Sequence, residues 1–506
     1  MPRSRRTTGR ALIAGAAALA ALLAGCSAPA PAPRATAQVS GEVAKELRPY
    51  YSQQVSWKKC EGRFECADIE VPLDYAAPGG ERIKIAAIRT TGGSSRGFIL
   101  TNPGGPGASG YDLIRDGVDV MTTSKLRDSY RIVGFDPRGV KRSAPVTCLT
   151  DKEQDAFREV QYDIDTDEGI AQAVKDATEL GRKCAAKTGP VLGHVDTLSA
   201  AKDMDILRAA LGEEKLNYLG WSYGTFLGAE YAELFPDRVG RLVLDGALDP
   251  ALDYQELTLG QAKGFERALR AYAESCLAGS GCPLTGSVDE AVAQVQDLIR
   301  AVEESPPTAE DGRLVPVNTF VSGLLVPLYD DASWPALTSA LTTALQGDPT
   351  LMLWLADATA QRDENGHYTG NTTFAYTAVN CLDYPMVSDL PTMRKQAAEL
   401  EKASPTIGRY LAYGGTTCQN WPYKPVREPA PVRAEGAGPV VVIGTTGDPA
   451  TPHAWAESLA DQLSSASLVT FKGEGHTAYP RSNGCIQDAV DSYFIDGKVP
   501  ADGTTC

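Results

Sequence analysis

Ser222 stands between two glycines in Gly220-Trp221-Ser222-Tyr223-Gly224-Thr225, directly after the apolar run Leu216 to Leu219. Such a serine is equipped to be a nucleophile. Where a strand turns sharply into a helix, the residue at the corner is pushed clear of the sheet, and its neighbours must carry almost no side chain. In a chain with 49 glycines the pattern alone is a weak signal. A serine nucleophile also needs a base to take its proton and a carboxylate to orient that base. Asp448 lies in Gly447-Asp448-Pro449-Ala450-Thr451-Pro452, after the apolar run Val440 to Ile443, and His476 lies in Gly473-Glu474-Gly475-His476-Thr477, after Leu468 to Phe471. The chain has four histidines. His194 precedes the serine, His367 falls in a long middle segment, and His453 is placed to open a helix, so His476 is the expected base. Asp245, in Asp245-Gly246 at the end of the run Arg241 to Leu244, is a rival to Asp448 as the acid. Its other reading is a turn or a structural hydrogen bond, and Asp448 is the expected acid. Thr451 is placed either to hydrogen-bond near Asp448 or to start the next helix.

Acyl transfer at such a serine passes through an oxyanion, which backbone N–H groups stabilise. Tyr223, the residue after the serine, supplies one. Asn102-Pro103-Gly104-Gly105-Pro106-Gly107 follows the run Gly97 to Thr101. Its glycines let bare backbone approach a substrate, and Gly105 is the expected second donor. Glycine- and proline-rich loops are often mere turns, but loop, elbow, acid and base occur here in the order a serine hydrolase requires.

Positioning these groups takes a sheet. Short apolar or β-branched runs at Ile83 to Ile88, Gly97 to Thr101, Arg131 to Phe135, Leu216 to Leu219, Arg241 to Leu244, Val440 to Ile443 and Leu468 to Phe471 each end in a polar or glycine-containing loop. Buried strands of a mostly parallel sheet read this way. Between them, Leu198 to Leu211 has helical spacing with Thr197 as its expected N-cap, and Tyr223 to Leu234 reads as a helix ended by Pro236. The expected architecture is an α/β-hydrolase fold with a large, mainly helical cap inserted after the sixth strand. Helices are expected in that insertion at Gln261 to Cys276, Val288 to Glu303, Thr319 to Leu328 and Trp334 to Leu345. The other reading of the insertion is an independent helical domain with no role at the site. The expected boundaries are 1–25 for a leader, 26–50 for a tether, 51–250 and 431–506 for the two parts of the core, and 251–430 for the cap.

The leader is legible on its own terms. Arg3, Arg5, Arg6 and Arg10 precede an uncharged run, Ala11 to Ala24, too short for a comfortable membrane span. It closes in Leu23-Ala24-Gly25-Cys26, which resembles a bacterial lipobox; the lesser alternative is a secretory signal with an incidental cysteine. Lipidation at Cys26 and an extracytoplasmic place on the outer face of the cytoplasmic membrane, held by that anchor alone, are therefore expected. Release from the membrane is a variant of the same expectation. The Ala/Pro stretch Ala28 to Pro33 reads as an extended tether. The chain carries 48 Lys and Arg against 64 Asp and Glu, which argues against nucleic acid and anionic lipid as partners. Eleven cysteines less Cys26 leave an even number in an exported chain, which points to disulfides. Pairing of neighbours joins Cys60 to Cys66, Cys148 to Cys184, Cys276 to Cys282, Cys381 to Cys418 and Cys485 to Cys506. With no Cys-x-x-Cys, neither a catalytic metal nor a cofactor is expected.

Together the Asn102 to Gly107 loop, Gly134-Phe135-Asp136-Pro137-Arg138-Gly139-Val140, the Gly220 to Thr225 elbow, Asp448-Pro449-Ala450-Thr451-Pro452 and Gly475-His476-Thr477 resemble exported actinobacterial serine hydrolases. These are the tripeptidyl aminopeptidases and mycelium-associated lipoprotein proteases of Streptomyces, with mycobacterial carboxylesterase A as a relative and prolyl aminopeptidases as more distant kin. The resemblance runs from about Trp57 to Cys506. It implies hydrolysis of peptide or protein substrates near a free N-terminus through an acyl-enzyme on Ser222, with His476 as base and then acid, Asp448 as orienter, and a cap that closes the far end of the groove. The chain departs from that group at Lys141 and Arg142, where many relatives continue Gly-x-Ser. An enzyme of this kind must also hold an ammonium at a fixed distance from the serine, and Asp383 and Glu230 are candidates for it. A carboxylesterase on the same triad and a non-catalytic surface-binding protein on the same scaffold are the competing functions.

Overall fold

The computed structural model describes residues 43–92 and 96–506, so the leader, Cys26 and most of the tether lie outside the described residues. Ten strands form one sheet among them: β1 (Lys58–Cys60), β2 (Phe64–Pro72), β3 (Arg82–Thr90), β4 (Phe98–Asn102), β5 (Arg131–Phe135), β6 (Leu216–Trp221), β7 (Val239–Asp245), β8 (Val440–Gly447), β9 (Ala466–Glu474) and β10 (Thr504–Thr505). Their order is β1-β2-β3-β5-β4-β6-β7-β8-β9-β10. The pairs β1/β2, β2/β3 and β3/β5 are antiparallel, and every pair from β5/β4 onward is parallel. All seven expected strands are present. β2 went unexpected because it alternates apolar and acidic residues, as a strand with one wet face does, instead of running apolar throughout.

Helices cover both faces. One core packs Met204, Leu207, Phe226, Tyr231 and Leu459 beneath β3 to β8, and the other packs Ile114, Leu126, Val490 and Phe494 on the opposite side. The helix expected from Leu198 runs Thr197–Ala210, and its N-cap is Asp196, whose carboxylate accepts the Ser199 N–H at 2.8 Å. Thr197 is the first helical residue, and its hydroxyl is engaged elsewhere. The motif from Gly134 to Val140 wraps around Arg138, a buried guanidinium with two bonds of 2.7 Å to Asp203 and three more to the carbonyls of Leu73, His194 and Pro72. Tyr75 completes the group with a 2.7 Å bond to Asp203. Removing one member of such a pair strands the other charge out of water. Arg138→Ala is expected to cost about 3–5 kcal/mol of stability, read as a lowered urea midpoint; an unchanged midpoint would show that the group is not structural. Past that motif, Lys141 and Arg142 both pair with Asp112, and Arg142 also bonds Asp136 at 3.0 Å and lies over the Tyr111 ring. The loop is closed there by charge.

The insertion follows β7, which is the seventh strand when the three-residue β1 is counted and the sixth when it is not. Its helices run Tyr254–Ala278, Val288–Glu304, Val317–Leu325, Trp334–Leu345, Thr350–Ala360, Thr372–Asp383 and Leu390–Ala403. Where a helix was expected to reach Leu328, Pro327 leaves the chain in a 3-10 turn, Val326–Tyr329. The insertion has its own core, with Val295, Ile299, Phe320, Leu324, Leu337 and Met352 in it. Thr372–Asp383 differs: Phe374, Ala378 and Leu382 pack into the core beneath the sheet. The ten cysteines other than Cys26 join as neighbours, in the five pairs expected.

Candidate active site

Parallel register brings the chemistry to one end of the sheet. Asn102 is opposite Gly220, Trp221 opposite Asp245, Asp245 opposite Ile443, and Gly447 opposite Glu474, so the segments after β4, β6, β7, β8 and β9 leave at a common edge. Ligand sites in open parallel sheets lie beyond such carboxyl ends.

Ser222 turns that corner with φ +58° and ψ −128°, a conformation few non-glycine residues adopt. A Cβ at Gly220 would lie 2.4 Å from the Gly224 carbonyl oxygen, and one at Gly224 would lie 2.5 Å from that of Asn102. Both flanking glycines are therefore needed for the chain to cross itself. The Ser222 N–H donates to the Asp245 carbonyl at 3.0 Å, and the Ser222 carbonyl accepts from the Thr225 N–H and hydroxyl at 2.8 and 2.6 Å.

Asp448 and His476 meet directly: Nδ1 of the imidazole is 2.9 Å from both carboxylate oxygens. A carboxylate only accepts, so Nδ1 carries the proton and Nε2 is left with its lone pair free to act as a base. Asp448 is buried and further accepts the N–H groups of Ala450, Thr451 and Thr477 and the Thr451 hydroxyl, all within 3.0 Å. Burial pushes its carboxyl up, but the His476 charge and these bonds outweigh that and hold it below the usual carboxylate range. Thr451 Oγ1 also lies 3.3 Å from His476 Nδ1. Of the two readings of Thr451 the structure shows the hydrogen bond to Asp448; the helix His453–Gln462 has Pro452 at its N-cap and takes no side-chain cap from Thr451.

Asp245, the rival acid, takes the structural part. It accepts the Ala478 and Tyr479 N–H groups, so it holds the turn after His476, and burial pushes its carboxyl up to about 6. Trp221 Nε1 ties the same turn to the elbow through the Tyr479 carbonyl at 3.0 Å. Gly246, at φ +68°, stands where a Cβ would be 2.9 Å from Thr477 Cγ2 and 3.3 Å from His476 Cε1, so the residue after Asp245 packs closely against the histidine loop. His453 is elsewhere: its Nε2 bonds Thr470 Oγ1 at 2.9 Å, on β9. His367 pairs with Asp151 at the surface.

Tyr223 begins the helix Tyr223–Leu234, so its N–H has no acceptor within that helix. In the facing loop, Gly104 packs against the elbow, with a Cβ site 2.9 Å from Ser222 Cβ and 3.0 Å from the Tyr223 nitrogen. Its own N–H is taken by Asn102 Oδ1 at 2.9 Å. Gly105, the expected second donor, is the next residue of that loop and stands at φ +107°.

Two expected residues are placed otherwise. Asp383 is 1% exposed and accepts the Thr197 N–H at 3.0 Å and the Thr197 hydroxyl. Glu230 is 7% exposed and pairs with Arg427 at 3.3 Å. Each carboxylate faces inward to a partner, and neither is presented to a substrate ammonium. Sequence reasoning missed Tyr329. Its carbonyl accepts the His476 N–H at 2.6 Å, and its half-open ring meets the imidazole edge-on at 5.4 Å. Tyr329 lies in an ordinary Pro-Leu-Tyr-Asp-Asp turn about 150 residues before the histidine, and nothing local marks it. The insertion also reaches the oxyanion loop, where a Cβ at Gly107 would lie 2.9 Å from Ala375 Cβ and the Thr372 hydroxyl bonds the Gly107 carbonyl at 3.2 Å. Among the described residues no group of three or more His, Cys, Asp or Glu is placed to hold a metal.

A protein family described as TAP-like protein matches residues 404–506, the segment that carries Asp448 and His476. Along nearly the whole chain, the sequence is 36% identical to the serine protease Hip1 of Mycobacterium tuberculosis, covering 97% of this chain and 96% of that one. It is 35% identical to carboxylesterase B of the same species, covering 90% of this chain and 91% of that one. It is 32% identical to the tripeptidyl aminopeptidase of Streptomyces lividans, covering 89% of this chain and 86% of that one.

Proposed function

Because the chain belongs to the α/β-hydrolase family of the mycobacterial serine protease Hip1 and the Streptomyces tripeptidyl aminopeptidase, we propose that it is an exported, lipid-anchored exopeptidase releasing tripeptides from a free N-terminus. The chain is a serine hydrolase. In the proposed reaction, Ser222 Oγ attacks the scissile carbonyl carbon while His476 Nε2 takes its proton. The oxyanion is held by the N–H groups of Tyr223 and Gly105, and Asp448 holds the imidazolium that forms. His476 then gives the proton to the leaving amine. Water repeats the cycle on the acyl-enzyme, freeing the new carboxylate and restoring Ser222.

The observation that carries the exopeptidase reading is the approach of the insertion from two sides, Tyr329 onto His476 and Thr372–Asp383 onto Gly107. An insertion in contact with both the base and the oxyanion loop suits a chain end better than the middle of a folded polypeptide. The substrate ammonium is then met by groups other than Asp383 and Glu230. Export and anchoring rest on the leader and Cys26, with the Ala/Pro stretch as the spacer from the membrane.

A tripeptidyl anilide with a free amine is expected to be cleaved, and its N-acetylated form to be cleaved about five- to hundredfold more slowly, since an ammonium partner left unpaired costs about 1–3 kcal/mol. Equal rates would remove the aminopeptidase reading. The similarity to carboxylesterase B favours a second reading, an esterase on the same triad. Faster turnover of simple acyl esters than of any free tripeptidyl anilide would select it.

A further inference from the structure

The side chain of Tyr223 leads away from the elbow into the protein. Its hydroxyl lies 2.6 Å from Thr197 Oγ1, and Thr197 in turn gives both its hydroxyl and its N–H to the carboxylate of Asp383. All three residues are buried, Thr197 and Asp383 almost completely. Around them, the Tyr223 ring meets Phe226 edge-on, and Phe226 stacks on Tyr384. Asp383 is the last residue of the helix Thr372–Asp383, whose other end bonds the oxyanion loop at Gly107. One rigid element thus touches both sides of the expected oxyanion hole, the loop directly and the elbow through two hydroxyls.

Helix capping accounts for only part of Asp383. Asp196 caps the helix Thr197–Ala210 through the Ser199 N–H, and Asp383 takes the Thr197 N–H, but its second oxygen accepts the Thr197 hydroxyl, which no cap requires. A buried carboxyl is costly unless its bonds do something an apolar residue there would not. We infer that Asp383 and Thr197 are positioning residues that hold Tyr223 by its hydroxyl and thereby fix the Tyr223 N–H where the oxyanion forms. The inference rests on the serine-hydrolase mechanism proposed above, in which that N–H is a donor.

Proton counting gives the chain a direction. Thr197 has one hydroxyl proton, and an ionised Asp383 claims it, so the Tyr223 hydroxyl must donate to Thr197. Protonated Asp383 no longer imposes that order. Burial pushes the Asp383 carboxyl up to about 7, opposed by the bonds from Thr197 and by Arg427 and reinforced by Asp196. Besides Thr197, the groups facing it are Asp196 on the helix N-terminus, Tyr223 on the elbow, Arg427 on the returning loop, and its neighbour Tyr384.

The test uses the full chain with a peptidyl anilide for steady-state kinetics and a fluorophosphonate probe for acylation. Tyr223→Phe and Thr197→Val are expected to lower kcat and the acylation rate about tenfold with KM nearly unchanged, as for a slightly misplaced catalytic group. Thr197→Ser keeps the hydroxyl and is expected to retain most of the activity. Asp383→Asn is expected to make the acid limb of the kcat profile less steep, leaving the part set by protonation of the base His476, and combining it with Tyr223→Phe should cost no more than either change alone. Wild-type kcat in Tyr223→Phe, equal losses in Thr197→Ser and Thr197→Val, or multiplying losses in the double variant would overturn the inference. If Asp383→Asn does not fold, Tyr223→Phe and the two Thr197 variants decide the matter. Ser222→Ala separates the two levels: probe labelling that survives it removes the mechanism itself, whereas labelling abolished by it beside an unaffected Tyr223→Phe removes only the positioning.

Discussion

Ser222→Ala is expected to lower kcat by on the order of a millionfold and to abolish fluorophosphonate labelling, with the thermal unfolding midpoint little changed. The loss is large because the oxygen that forms the acyl-enzyme is gone, and what remains is binding and oxyanion stabilisation acting on water. The fold should tolerate the change. Ser222 is held by its backbone, through the Asp245 carbonyl and Thr225, and the strained corner depends on Gly220 and Gly224 more than on its own hydroxyl. His476→Ala should fall to a similar level, because nucleophile and base act as a unit and removing either removes both. Near wild-type anilide hydrolysis in His476→Ala, together with its loss in His453→Ala, would reverse the assignment of the base.

For Asp448→Asn the expected loss is on the order of ten-thousandfold in kcat, with KM much less affected. The carboxylate fixes the tautomer: both oxygens face Nδ1, so the proton sits there and Nε2 is left to receive one from the serine. An asparagine can turn its NH2 group toward Nδ1, which stabilises the opposite tautomer and presents an N–H to Ser222. It also gives up the negative charge that steadies the imidazolium. With its oxygen in the place of Oδ1 the asparagine still accepts the Ala450 and Thr451 N–H groups, while its NH2 faces the Thr477 N–H, so the protein should fold with a stability loss of about 1–3 kcal/mol. A loss of less than tenfold, measured where the wild type is fully active, would mean that another group orients the imidazole.

What could be read from the sequence was what local chemistry dictates. The elbow announces itself because a nucleophile on a tight corner needs glycine on both sides, and Asp448 and His476 follow strands whose apolar runs are plain. Disulfides between neighbours were legible because short loops close easily. The N-cap of Thr197–Ala210 fell one residue earlier than expected, on Asp196, since both residues can cap and only tertiary partners decide between them. Asp383 and Glu230 were marked by type alone, and a carboxylate's direction depends on what is packed against it: Thr197 comes from a segment 186 residues earlier and Arg427 from one 197 residues later. Tyr329 was invisible for the same reason. Its contribution is a backbone carbonyl and a ring edge, which no motif encodes.

The five disulfides divide the molecule in a way their spacing in the chain conceals. Cys276–Cys282 and Cys381–Cys418 lie wholly within the insertion, while Cys60–Cys66, Cys148–Cys184 and Cys485–Cys506 lie wholly within the sheet-bearing part. No covalent bridge crosses between the two among the described residues. The junction is instead carried by packing and by charge pairs: Arg158 with Asp357 at 2.6 Å, Arg362 with Asp155 at 2.7 Å, and Arg409 with Asp165 at 3.1 Å. The disulfides therefore brace each half separately. The seam between them answers to ionic strength, which weakens exposed pairs such as Arg409 with Asp165 well before it reaches the half-buried ones.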